Sequence, residues 1–133
     1  MAKVQKAKTS GDKIRVLLVD DHRVVRQGLS TILTLESDIE IVGEAADGME
    51  AIAKARDLQP DVILMDISMP KMDGIEATRI IHADFPHIRI IGLSMHDKKD
   101  LADRMFEVGA SSYFTKDGET SILLSEIREG GPK

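Results

Sequence analysis

The sequence predicts a single α/β domain built on a five-stranded, doubly wound parallel sheet. Three observations carry this. Five short apolar runs alternate with five longer stretches of helical periodicity, and strict β-α alternation gives a parallel sheet with helices on both faces and right-handed crossovers. The third run, Val62-Ile63-Leu64-Met65, is apolar without interruption, as expected of a central strand covered on both sides. The length of 133 residues is that of one ordinary domain, and 42% hydrophobic with 31% charged residues is a globular composition.

The elements follow in order. Residues 14–19 form the first strand, and Val25, Leu29, Ile32 and Leu33 recur at helical spacing over residues 23–35. Residues 39–45 form the second strand. Met49, Ile52, Ala53 and Leu58 line a second helix that stops before Pro60. After the third strand, residues 70–74 form a turn with Asp73 as the N-cap of a third helix. Ile75, Thr78 and Ile81 form that helix's inner face, and it ends before Pro86. Residues 88–93 form a fourth strand, and Leu101, Met105 and Val108 mark a fourth helix with Gly109 just past its end. Residues 111–114 form a short fifth strand, and Ile122, Leu123 and Ile127 mark a last helix that Gly130-Gly131-Pro132 ends. The domain is expected over residues 13–128, preceded by a disordered basic tail over 1–12 and followed by the start of a linker or tail over 129–133.

Composition removes several function classes. Cysteine is absent, which excludes disulfides, thiolate zinc sites and cysteine nucleophiles. With no Trp, three Phe and one Tyr, an aromatic platform for single-stranded nucleic acid is not expected. The net charge is −5, yet the first 13 residues hold four lysines against one aspartate and are +3, so the remaining 120 carry −8. An acidic body does not grip phosphate backbones by itself; it suits a divalent cation or a basic partner. No run reaches the ~18 apolar residues of a membrane span, and the start lacks the apolar region of a secretory signal. A cytoplasmic protein is the expectation.

The chemistry collects where parallel strands end. The first strand runs into Asp20-Asp21, the third into Asp66, the fourth into Ser94 and the fifth into Thr115-Lys116. A parallel sheet brings all of these to one edge. Two carboxylates ~4 Å apart repel by about 4 kcal/mol at an effective dielectric near 20, so either their pKa values rise or a cation enters. Lys116 offsets one charge. An all-oxygen site suits Mg2+ better than zinc. A carboxylate beside Mg2+, a lysine and a hydroxyl is equipped to accept a phosphoryl group, with Asp66 as nucleophile. Capping and turn formation would explain a single strand-end aspartate. They do not explain three carboxylates, a hydroxyl and an ammonium gathered at four strand ends.

These residues resemble those of response-regulator receiver domains of two-component signalling. The motifs are Asp20-Asp21, the stretch DVILMDISMP over residues 61–70 followed by Met72-Asp73-Gly74, then Ser94 and Lys116. The strings VDDHRVVRQGL and VGEAADGMEAI are similar to the branch whose receivers precede a LuxR-type helix-turn-helix output domain. The resemblance spans residues 13–128 and implies a flavodoxin-like (βα)5 fold with strand order 2-1-3-4-5. It implies Asp66 as phosphoacceptor, with Asp21, Asp66 and the Ser68 carbonyl as direct Mg2+ ligands and Asp20 holding the metal through water. Lys116 would pair with the phosphoryl group, Ser94 would be the switch hydroxyl and Tyr113 the aromatic that follows it. The implied donor is a phosphohistidine on a sensor histidine kinase, or a small phosphodonor such as acetyl phosphate. The implied output is a change in the surface of helix 4, strand 5 and helix 5, a phosphorylation-dependent homodimer, and DNA contact only through an output domain absent from this chain. Such a protein catalyses its own phosphorylation and slow dephosphorylation and is not a turnover enzyme. The alternative is a stand-alone receiver acting on a protein target.

Some positions depart from the commonest pattern of the family. Asp117 stands where many receivers have proline. Met95 follows Ser94 where a small residue is common, and Ser68 and His96 occupy positions that tune hydrolysis of the aspartyl phosphate. His22 reads as the residue that opens the first helix, and His82 and His87 as surface residues. Met65, Met69 and Met105 read as core or turn filler. Two rival classes fit less well. A phosphatase of the haloacid-dehalogenase type needs Asp-x-Asp, but His22 and Ser68 stand two after Asp20 and Asp66. A flavin-binding module needs a Ser/Thr/Gly-rich first loop, where Asp20-Asp21 would repel the phosphate. A degenerate receiver, kept only as a docking surface, would have lost site residues that are all present here.

Overall fold

The structure, a computed structural model, describes residues 12–69, 71–94, 99–116 and 118–129. Five strands alternate with five helices: β1 (Ile14–Val19), α1 (Arg23–Thr34), β2 (Ile39–Ala45), α2 (Gly48–Leu58), β3 (Val62–Asp66), α3 (Gly74–Asp84), β4 (Arg89–Ser94), α4 (Lys99–Glu107), β5 (Ser112–Thr115) and α5 (Thr120–Glu129). The sheet is parallel throughout, in the order β2-β1-β3-β4-β5, as the resemblance implies. The tail over 1–11, Pro70, the 95–98 segment with Met95 and His96, Asp117, and residues 130–133 of the expected linker lie outside the described residues. No helix among the described residues is long and apolar enough to cross a membrane.

Alternation along the strands builds two cores. Leu17, Val19, Ile63 and Met65 face one side, where Ala51 and Ala55 of α2, Ile81 of α3 and Met105 of α4 cover them. Val16, Leu18, Leu64 and Leu93 face the other, under Leu33 of α1 and Leu123 and Ile127 of α5. A side-chain period of two on a sheet covered on both faces requires this split. All five residues of β3 are buried, as its unbroken apolar run predicts.

Two strand frames move by one residue. Sequence patterning places β4 at 88–93 and β5 at 111–114. Ile88 is buried, but its N–H donates to the Phe85 carbonyl in a turn, and the ladder starts at Arg89 opposite Val62. At the far end Ser94 pairs with Thr115, so both strands run one residue further toward the carboxyl edge.

Caps and one close approach set the loops at that edge. Asp47 accepts from the Glu50 N–H at 2.9 Å and Asp73 from the Glu76 N–H at 3.0 Å, each meeting an unsatisfied donor of a helix start. Gly74 opens α3 directly against β3: its N–H donates to the Ile67 carbonyl at 2.8 Å, and a Cβ there would overlap the Asp66 carbonyl oxygen. The obstacle is backbone, which cannot swing aside. Gly74→Ala is therefore expected to cost about 3 kcal/mol, read by urea unfolding. A loss under about 1 kcal/mol would contradict the close approach.

Candidate functional site

The site is assembled from the carboxyl ends of four strands. Asp20 follows β1 and is held by its own N–H, which donates to the Ala45 carbonyl at the end of β2 at 3.0 Å. Asp66 is the last residue of β3, paired in the ladder with Leu93. Ser94 ends β4, buried, and its carbonyl accepts from the Lys116 N–H at 2.7 Å just past β5. Burial is severe for an acidic pair: Asp20 is 1% and Asp66 3% exposed.

Lys116 reaches both buried acids. Its Nζ lies 2.6 Å from Asp20 Oδ2 and 3.2 Å from Asp66 Oδ1. One ammonium thus serves two carboxylates, and Asp21 adds a third alongside. Donor atoms of Asp20, Asp21, His22 and Asp66 all lie within 4.8 Å of one another. Asp66 Oδ2 is buried with no hydrogen-bond partner, and buried Asp21 Oδ1 likewise makes no hydrogen bond.

The electrostatic consequence falls on Asp66. Burial pushes its pKa up, the Asp20 charge adds to that, the ammonium of Lys116 pulls it back, and Asp21 raises it again, leaving it at about 6. Burial works against the charge of Lys116, but its bond to Asp20 and the charges of Asp66 and Asp20 outweigh it, and its pKa rises. A carboxyl held this high is one whose burial and neighbouring negative charge outweigh its single cation. Three carboxylates, one ammonium and an unpartnered buried oxygen fit a divalent cation, and oxygen donors suit a hard one.

The remaining predicted residues are placed less directly. Ser68 lies exposed in the turn two residues past Asp66. Tyr113 is half-buried in β5 against the core under α2–α4 and beside Gly92. Met69 packs on that core, and Met65 and Met105 are fully buried in it. His82 departs from its surface reading: it is half-buried, its Nδ1 is buried without a hydrogen-bond partner, and its ring lies against Gly109, whose φ of +117° and lack of Cβ admit it. His87 is exposed, as expected.

Sequence reasoning missed two contributors. His22 does open α1, but its side chain makes no capping bond. Instead Nδ1 lies 3.2 Å from Asp20 Oδ1 and 3.2 Å from Asp21 Oδ1. Arg26, one turn on, donates through Nε to Glu44 of β2 at 2.8 Å and through Nη1 to the Asp20 carbonyl. The guanidinium thereby braces the loop that presents the acids. The available signal was an arginine set between the apolar positions Val25 and Leu29. Arg26→Ala leaves the Asp20 carbonyl unpaired. It is expected to cost about 2 kcal/mol by urea unfolding, with Arg26→Lys recovering part; a loss below about 0.5 kcal/mol would contradict the brace.

Residues 16–128 match the family model described as the response regulator receiver domain. The chain belongs to that family. Among curated relatives, the response regulator protein VraR of Staphylococcus aureus is 45% identical over 116 residues, which cover 87% of this chain and 56% of the relative. The chain therefore spans about half the length of the curated relatives it matches. Among solved structures, a two-component response regulator of the LuxR family from Aurantimonas sp. SI85-9A1 is 36% identical with a TM-score of 0.83, covering 91% of this chain and 89% of that one. The CheX-CheY-BeF3-Mg2+ complex from Borrelia burgdorferi contains a chain 30% identical with a TM-score of 0.83, covering 90% of each. The receiver fold, the strand order and the likeness to regulators of the LuxR family are thus as the motifs imply.

Proposed function

We propose that this receiver domain accepts a phosphoryl group on Asp66 from the phosphohistidine of a sensor histidine kinase, in the presence of Mg2+. One observation carries the reading: Asp66, clustered with Asp20 and Asp21, keeps a buried, unpartnered Oδ2 while Lys116 holds its Oδ1 at 3.2 Å. One carboxylate oxygen is engaged and the other is left to react. The similar structure of the CheX-CheY complex holds BeF3 together with Mg2+, which supports pairing a phosphoryl group with Mg2+ here.

In this reading an Asp66 carboxylate oxygen attacks phosphorus to form an acyl phosphate, the phosphorus–nitrogen bond breaks, and its electron pair goes to the imidazole, which takes up a proton from solvent. Lys116 places its ammonium on a phosphoryl oxygen, and the Ser94 hydroxyl donates to another. Asp21, Asp66 and the Ser68 carbonyl would hold Mg2+, with Asp20 reaching it through water, and the ion would supply positive charge to the transferred oxygens. Tyr113 follows Ser94 inward, and the α4–β5–α5 surface changes. Phe106 of α4 and Ile122 of α5 each expose about half of a large apolar side chain, which suits contact with a second copy or an output domain. The whole protein is a cytoplasmic transcription regulator that dimerises on phosphorylation and meets DNA through a domain outside this chain. The domain turns over only its own phosphate and is not an enzyme acting on a separate substrate.

Beryllofluoride with Mg2+, read by amide NMR, tests the assignment. Shifts are expected at Ser94, Tyr113 and Lys116 together with the acids. Changes confined to the acidic loop would count against coupling to the switch.

A further inference from the structure

Among the described residues, His22 joins the acids in the candidate metal cluster, yet the phosphoacceptor reading leaves it unused. It stands at the N-cap of α1 with extended backbone but does not cap the helix. Its side chain is 63% exposed, yet Nδ1 turns inward and stands 3.2 Å from one carboxylate oxygen of Asp20 and 3.2 Å from one of Asp21. A hydrogen bond accounts for one of these contacts. Two equal distances to separate carboxylates match the edges of a ligand shell. A six-coordinate ion with ~2.1 Å bonds sets neighbouring donors about 3.0 Å apart and opposite donors about 4.2 Å apart. The donors of Asp21, His22 and Asp66 lie within 4.8 Å of one another, so a contraction of about 0.6 Å at most closes them on one ion, with Asp20 behind water. Independently, the Asp66 side chain is 4% exposed and keeps Oδ2 without a hydrogen-bond partner.

We propose that His22 Nδ1 is a further metal ligand. It turns an oxygen site into one that also takes the borderline divalent ions zinc, nickel and copper. Carboxylate oxygens favour Mg2+, whereas imidazole favours Zn2+, Ni2+ and Cu2+, so the ring adds affinity for the second group and little for the first. The proposal rests on reading the acids as a metal site.

The test uses the full chain at pH 7.5, with His22→Ala and His22→Asn. Asparagine can cap α1 and hydrogen-bond Asp20, but it is a poor zinc ligand, so it separates a structural role from ligation. Zinc binding is measured by calorimetry as the portion that excess Mg2+ displaces, which sets aside zinc held by other histidines. Both variants are expected to lose tenfold or more in that zinc affinity while Mg2+ affinity stays within twofold. Nitrogen splitting from the ring is expected in the copper EPR spectrum of the unaltered chain and not in the variants. A smaller zinc loss, or full recovery with asparagine, overturns the assignment. Labelling by acetyl phosphate and Mg2+ runs in parallel. If Asp66 is labelled and zinc binding is indifferent to His22, only this proposal falls. If Mg2+ neither binds nor supports labelling, the phosphoacceptor reading falls and takes this one with it.

Discussion

Lys116→Ala is expected to destabilise the metal-free domain by about 3 kcal/mol at pH 7.5. The ammonium is the shared partner of two carboxylates that are almost fully buried, at 2.6 Å and 3.2 Å. Removing it leaves both charges in place with the cation gone, and an uncompensated buried charge costs more than the pair contributed. The pKa of Asp66 should rise further, because Lys116 is what holds it down. Mg2+ then has more to offset, so 10 mM should stabilise the variant by more than it stabilises the unaltered chain, roughly by the part of that 3 kcal/mol it restores. Urea unfolding with and without Mg2+ measures both quantities. A variant as stable as the unaltered chain in EDTA would mean that the acids are protonated or solvated, and the electrostatic account of the site would fail.

Asp66→Asn is expected to work in the opposite direction. The Asp66 carboxyl titrates at about 6 in the folded chain against an ordinary 3.8, so the folded state holds this proton more tightly than the unfolded one. Its contribution to stability is therefore full below about pH 4 and is lost as pH rises toward 6 and beyond. The complete shift corresponds to about 3 kcal/mol. Asparagine keeps the shape and removes the charge, at the cost of one partner for Lys116. In EDTA at pH 7.5 the variant should therefore be more stable by about 2 kcal/mol. At pH 4 the two chains should converge. Mg2+ should raise the stability of the unaltered chain and narrow the gap. An Asp66→Asn chain less stable than its parent at neutral pH would show that the carboxylate is stabilised by its surroundings, not strained by them.

These two effects share a cause that the sequence displays openly. A run as apolar and short as Val62-Ile63-Leu64-Met65, set between stretches of helical periodicity, fits a strand covered on both faces, and the residue that ends it emerges at the carboxyl edge. Asp20, Ser94 and Lys116 emerge there for the same reason. What patterning could not supply is finer than one residue or depends on a side chain's turn. Ile88 is apolar and buried like a strand residue but serves a turn. His82 lies next to a loop in sequence yet half-buries its ring, because Gly109 leaves room for it. His22 occupies a helix start, where position alone argues for capping; only the fold shows that Nδ1 faces the acids. Arg26 reaches from α1 to the end of β2, a contact fixed by the crossover and not by any local spacing.

Mass spectrometry of the intact chain after incubation with acetyl phosphate tests the central claim most directly. With Mg2+ the unaltered chain should gain the mass of one phosphoryl group, Asp66→Asn should gain none, and EDTA should suppress the gain. A phosphoryl group found on Asp66→Asn, or one acquired equally well in EDTA, would contradict the account.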